Sequence, residues 1–171
     1  MKKIMLVLVV TLVFLLTSCS PTVSINLIKS NDNIEVYDHH VVKSCEITID
    51  DSTYSMKIAA NNVDSDTVGT YTIDYEYEFD GDVYLCTRYV FVTDQTAPTV
   101  VLNPGIDTVQ VGSQWIDTGV TVTDNYYTTG FTVEIENDVN SSQIGEYVVS
   151  YVVTDGSGNI TTVERIIHVV E

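Results

Sequence analysis

The chain has 171 residues and carries 24 Asp and Glu against seven Lys and Arg, a formal charge of −17. Such a surface repels phosphate backbones, which excludes nucleic acid as a natural partner and leaves cations, basic proteins and neutral glycans. The length suits one ordinary domain or two small ones. Eleven tyrosines among many Val, Ile and Thr suit a pleated, half-buried surface, and no stretch after residue 20 sustains a helical apolar period.

Met1-Lys2-Lys3 is a short basic start, and Ile4 through Leu16 is an apolar run broken by one Thr. That is the length of a signal-peptide core and too short for an ordinary membrane span. Leu16-Thr17-Ser18-Cys19 then resembles a bacterial lipobox. The resemblance implies cleavage after residue 18 and a diacylglycerol thioether on Cys19, so that the membrane is the first partner and the chain lies on its extracytoplasmic face. More than one acyl chain gives stable anchoring. Without Lys2 and Lys3 the charge becomes −19.

A first module is expected over 23–93. Val23–Ile28 and Ile34–Tyr37 read as short opening strands. Cys45, Ile47 and Ile49 alternate, Asp50-Asp51-Ser52 turns, and Tyr54, Met56 and Ile58 alternate again, which reads as a hairpin. Alternation is clearest in Tyr71, Ile73, Tyr75, Tyr77 and Phe79, and Asp80-Gly81-Asp82 turns into a last strand, Val83–Val92. Cys45 and Cys86 are an even pair in an exported chain, and a disulfide is expected; two buried thiols are the alternative. His39-His40 point to opposite faces of a strand and do not chelate one ion easily.

Thr93 to Pro98 is a boundary, and a second module is expected over 97–171. Short strands recur at Thr99–Leu102, Val109–Val111, around Val120 and Val122, and at Phe131–Ile135. Tyr147, Val149, Tyr151 and Val153 then alternate along a long strand that runs into the polar turn Asp155-Gly156-Ser157-Gly158-Asn159, and Thr161–Val170 closes the module. Gly69 and Gly145, Tyr71 and Tyr147, and Tyr75 and Tyr151 are each 76 positions apart. Arg88 parallels Arg165. The chain is one module written twice, and about seven short strands per copy read as an antiparallel sandwich.

Asp94-x-x-Ala97-Pro98, Gly112-x-x-Trp115-x-Asp117-x-Gly119-Val120-x-x-x-Asp124, Gly145-x-Tyr147-x-x-x-Tyr151-x-x-x-Asp155-x-x-Gly158-Asn159 and Arg165 together resemble the bacterial Ig-like repeat of cell-surface proteins, which also occurs beside pesticidal crystal toxins. The first module keeps the Gly-x-Tyr-x-x-x-Tyr strand, the Asp-Gly turn and the Arg, but lacks the Gly-Asn ending and the Asp-x-Gly-Val motif. It looks like a divergent copy. The resemblance implies an all-β chain of two tandem immunoglobulin-like sandwiches used as spacer or adhesive modules, without catalysis.

No phosphate loop, paired metal-ligand motif or nucleophile elbow appears, so no enzyme is expected. Calcium is the one ion the residues could suit: Asp94, Asp124, Asp155 and Asn159 offer hard oxygen ligands in loops. The same side chains equally suit Asx turns without metal, and no twelve-residue calcium loop is present. Tyr126 and Tyr127 lie in a loop and are candidates for stacking on a glycan. Trp115 fits core packing better. The leading expectation is a lipid-anchored interaction or spacer module with a protein or glycan ligand; the alternative is a carbohydrate-binding accessory subunit of a surface enzyme.

Overall fold

The structure is a computed structural model and describes residues 21–27 and 31–171. The expected signal peptide, 1–18, and Cys19 lie outside the described residues. The described residues form strands and turns without helices, and the chain divides into two compact units, the first ending at Thr93 and the second spanning Asp94–Glu171.

In the first unit, β1 (Val23–Leu27), β3 (Cys45–Ile49) and β4 (Ser52–Ser55) form one sheet in the order β1-β3-β4. The facing sheet runs β2 (Asn31–Glu35), β7 (Asp82–Thr93), β6 (Gly69–Phe79), β5 (Lys57–Asn61). Cys45, Ile47, Ile49, Ile73, Tyr75, Cys86 and Val90 close the core between them. Asp50 and Asp51 both take positive φ, 47° and 64°, as do Asp80 and Gly81, 49° and 83°. Two such residues in a row make the tight turns whose twist matches antiparallel strands, here β3–β4 and β6–β7.

The expected hairpin partner Tyr54–Ile58 is not one strand. The chain pairs with β3 only as far as Ser55, and then crosses to the other sheet, where Lys57 pairs with Glu76. Met56 is the corner: it is buried and its N–H still donates to Cys45 O at 2.9 Å. Of the alternating residues only Met56 enters the core, while Tyr54 and Ile58 on either side stay exposed. The second opening strand begins at Asn31, earlier than the expected Ile34, and pairs parallel with β7.

The second unit repeats this plan with fewer strands. Its strands are β8 (Thr99–Leu102), β9 (Thr108–Gln110), β10 (Val120–Thr123), β11 (Thr132–Asn137), β12 (Gly145–Thr154) and β13 (Ile160–Val170). One sheet is β10-β8 and the other is β11-β12-β13-β9. Here too the strand beside the last one, β9, is parallel to it. Each unit is therefore an Ig-like sandwich of antiparallel strands with one parallel pair.

The repeated Gly-x-Tyr has a structural reason. Tyr71 OH donates to Thr67 O at 2.8 Å, and Tyr147 OH donates to Gln143 O at 3.0 Å. Each tyrosine folds back over the loop that enters its strand, the tyrosine corner of such sandwiches. The glycine two residues earlier leaves room, since a Cβ at Gly69 would meet the Tyr71 ring at 3.3 Å.

A buried arginine is the second repeated element. Arg88 is fully buried and donates to Ser44 O at 3.1 Å, while Arg165, 3% exposed, donates to Asp107 Oδ1 at 2.8 Å and to Asn103 O. The neighbouring phenols are also tied down, Tyr75 to Lys43 O and Tyr151 to Asp117. Burial first, then the Asp117 carboxylate, push the Tyr151 phenol up to about 12, against the pull of Arg165. The folded state thus keeps a proton that the unfolded chain releases near pH 10. Stability from this group is whole below pH 10 and declines by about 1.4 kcal/mol per pH unit above it, until about pH 12. Thermal unfolding followed between pH 9 and 12 should show this decline in the second unit, and Tyr151→Phe should remove that contribution.

Candidate functional site

The second unit gathers the predicted oxygen ligands. Asp94 precedes β8, Asp124 follows β10, and Asp155 follows β12, so three chain segments end at one place. One carboxylate oxygen from each lies within 4.8 Å of the others. Asp94 is 4% exposed and Asp155 6%.

Each aspartate first closes its own turn. Asp94 Oδ1 accepts from Thr96 N at 3.1 Å. Asp124 Oδ1 accepts from Tyr126 N and Tyr127 N, both at 2.9 Å. Asp155 Oδ1 accepts from Ser157 N at 2.9 Å and Asn159 N at 2.8 Å. The Asx capping weighed against metal binding is thus present. It uses one oxygen of each side chain. Asp124 Oδ2 is buried without a hydrogen-bond partner.

Asn159 does not offer its amide nitrogen as a ligand. Its Nδ2 donates to Asp155 Oδ2 at 2.9 Å, Asp94 O at 3.1 Å and Thr96 O at 3.2 Å. It fastens the backbone of the 94–96 segment to the 155–159 turn and holds the Asp155 carboxylate in position. These bonds occupy the amide nitrogen of Asn159; the oxygen, the atom proposed as a ligand from the sequence, takes no part in them.

Carboxylates this close repel one another. At 4.8 Å a pair of unit charges costs about 3 kcal/mol at an effective dielectric of 20. A proton or a cation relieves that cost. The oxygen spacing fits a calcium ion, whose ligands at roughly 2.3–2.6 Å leave opposed oxygens about 5 Å apart.

Tyr126 and Tyr127 are half-buried, with ring centroids 5.0 Å apart and planes at 84°. The Tyr127 ring covers Gly156, where a Cβ would come within 2.4 Å of it, and Tyr127 OH lies 3.2 Å from Ser157 Oγ. Tyr127 therefore packs the two loops together beside the acidic triad. Trp115 packs on the second core and its Nε1–H donates to Ile106 O at 2.9 Å, in line with a structural role.

Cys45 and Cys86 are joined by a disulfide between the two sheets of the first unit. A feature that sequence reasoning missed lies beside it. Asp32, 4% exposed, sits 3.1 Å from His40 Nε2, 3.7 Å from Arg88 Nη1 and against Lys43 Nζ. Burial raises the Asp32 pKa, but hydrogen bonds from Lys43 and His40 and the charges of Lys43 and Arg88 outweigh it and hold the carboxyl below its ordinary range. His40 thus serves a carboxylate, and His39 is exposed. The parallel between Arg88 and Arg165 was the available signal, since a repeated buried cation needs a counter-charge.

Paired sandwich sheets, tyrosine corners and a buried arginine define an Ig-like module in each unit. Residues 106–169, just over a third of the chain, match the family model described as bacterial surface protein, Ig-like domain. A curated relative, an uncharacterized 81.3 kDa protein of Acholeplasma phage L2, is 33% identical over 113 residues. That alignment covers 60% of this chain and 15% of the phage protein. The matched residues lie in the second module, whose motifs resembled that repeat.

Proposed function

We propose that this protein is a non-catalytic surface lipoprotein, held on the extracytoplasmic face of the membrane through acylated Cys19, whose two Ig-like units serve as an interaction or spacer module. The match of 106–169 to a surface Ig-like family carries this reading. The lipobox-like stretch at residues 16–19 supplies the anchor. The test is acylation in cells. Labelled fatty acid should enter the wild-type chain, and Cys19→Ser should abolish labelling and release the protein from the membrane fraction. Unlabelled but membrane-bound protein would sink the anchor.

The acidic triad supports a second element of this reading, a calcium ion held by Asp94, Asp124 and Asp155. Bringing three carboxylates together, with one oxygen of Asp124 left buried and without a donor, is what favours it. The ion would fasten the 94–98 segment to the loops after β10 and β12. At a hundred times its dissociation constant, calcium should stabilise the second unit by about 2.7 kcal/mol. For a unit of this size that raises the melting temperature by on the order of 10 °C or more. Calorimetry with calcium and with chelator reads this directly, and Asp124→Asn should abolish the difference. Equal melting in both would remove the ion from this reading.

Tyr127, engaged with Gly156 and Ser157, gives the glycan-binding accessory reading no support. Loss of glycan affinity on Tyr126→Ala would restore it.

A further inference from the structure

The outer edge of β11 offers backbone pairing and side-chain chemistry together. β11 ends its sheet, and among the described residues no strand lies on its far side. All six of its residues are exposed. Alternate residues of such an edge direct N–H and C=O groups away from the sheet, about three of each here.

The two faces of β11 differ. Val133 pairs with Val153 and Ile135 with Tyr151, so both share the face of the core, yet they remain 41% and 50% exposed at its margin. Glu134 and Glu136 share the other face. There Glu136, Ser150 and Glu164 line up across three strands, and Asp138 and Glu146 join them around an open cleft of about 550 Å³.

The corresponding edge of the first unit is blunted. β5 carries Lys57, paired with Glu76 at 2.9 Å, and a register shift between Ile58 and Ala60. An edge lysine and a bulge are both devices against strand addition. β11 has a regular register through all six residues and neither device.

A second copy of the chain is a poor occupant. Antiparallel pairing of two β11 strands centred anywhere from Glu134 to Glu136, with the apolar residues on one face, sets glutamate opposite glutamate, and the chain as a whole is strongly negative. A segment with Lys or Arg at alternate positions satisfies both faces. We propose that β11 takes, as an added strand, an extended basic segment of a partner protein. Its cationic side chains lie over Glu134, Glu136 and the cleft, and its apolar ones beside Val133 and Ile135. This rests on the interaction-module reading and names the partner's chemistry.

The test uses the full chain in detergent micelles and a capped synthetic peptide alternating lysine with valine. Amide exchange should slow within 132–137 on binding. The double change Glu134→Lys and Glu136→Lys, on exposed side chains, should weaken binding by at least about tenfold, as expected for opposed charges at a contact. Lys57→Glu on β5 should leave binding unchanged. The same peptide with alternate backbone nitrogens methylated keeps its charge but cannot pair as a strand, and it should not bind. Equal binding of the methylated peptide, equal binding to the double variant, or protection of 132–137 that grows with protein concentration alone would each overturn the proposal. Because acylation is scored separately in cells, a silent β11 with a labelled Cys19 sinks only the partner, and a bound peptide on an unlabelled chain sinks only the anchor.

Discussion

Reducing the Cys45–Cys86 disulfide is expected to destabilise the first unit by about 4 kcal/mol and leave the second unaffected. The bridge spans 41 residues, and closing a loop of that size removes this much chain entropy from the unfolded state. Domains of this size are stable by only about 5–15 kcal/mol, so the loss is a large share of the whole. The bridge also ties β3 to β7, and thus one sheet to the other. The second unit has no cysteine and fills the equivalent register place with Val163, which packs on its core opposite Tyr151. Calorimetry with and without reductant should show one transition falling by on the order of 15–30 °C while the other holds. Two transitions that fall together would show that the units do not unfold independently.

Replacing Asp32 by alanine should cost the first unit about 3–5 kcal/mol, the range for removing one member of a buried ion pair. Its carboxylate is ringed by Lys43, His40 and the fully buried Arg88, and its loss would leave Arg88 buried without that counter-charge. The matching change in the second unit, Asp107→Ala, should cost no more than about 1 kcal/mol. Arg165 is as buried as Arg88, but the Asp107 side chain is 54% exposed, and solvent screens it. Chemical denaturation of the two variants should therefore separate two superficially equivalent pairs. The pH dependence follows from the lowered Asp32 pKa. A depressed carboxyl contributes stability that is present above its unfolded pKa and is lost as pH falls through the folded one. The first unit should hold above about pH 4 and weaken below it, and Asp32→Asn should flatten that acid limb. An unchanged limb would assign acid unfolding to other carboxylates.

The duplicated strand was readable because its signal is local. Gly-x-Tyr needs a small residue, a ring and a backbone oxygen within a few positions, and all three lie in one stretch. The Asp-Gly turn and the alternating tyrosines are local in the same way. The boundary near Asp94 was readable for the same reason. Three of the candidate ligands were found because each begins its own polar turn, although nothing in the spacing said that the three turns meet.

The missed features depend on pairing between distant segments. β2 reads Asn-Asp-Asn-Ile-Glu and shows no apolar alternation, because its buried position is Asp32, which meets Arg88 of the neighbouring strand β7. The change of sheet at Met56 leaves the apolar period intact, so periodicity could not locate it. The parallel pairing of β2 with β7 and of β9 with β13 is settled by register over more than 50 residues, beyond any local pattern.

Those parallel pairs have a mechanical consequence. When a unit is pulled by the chain entering its early strand and the chain leaving its last one, the two strands slide past each other along their length. All bridging hydrogen bonds between them are then loaded together, in shear, and none can be peeled open ahead of the rest. Five residue pairs share the load between β2 and β7 and three between β9 and β13, so under tension the second unit should yield at the lower force.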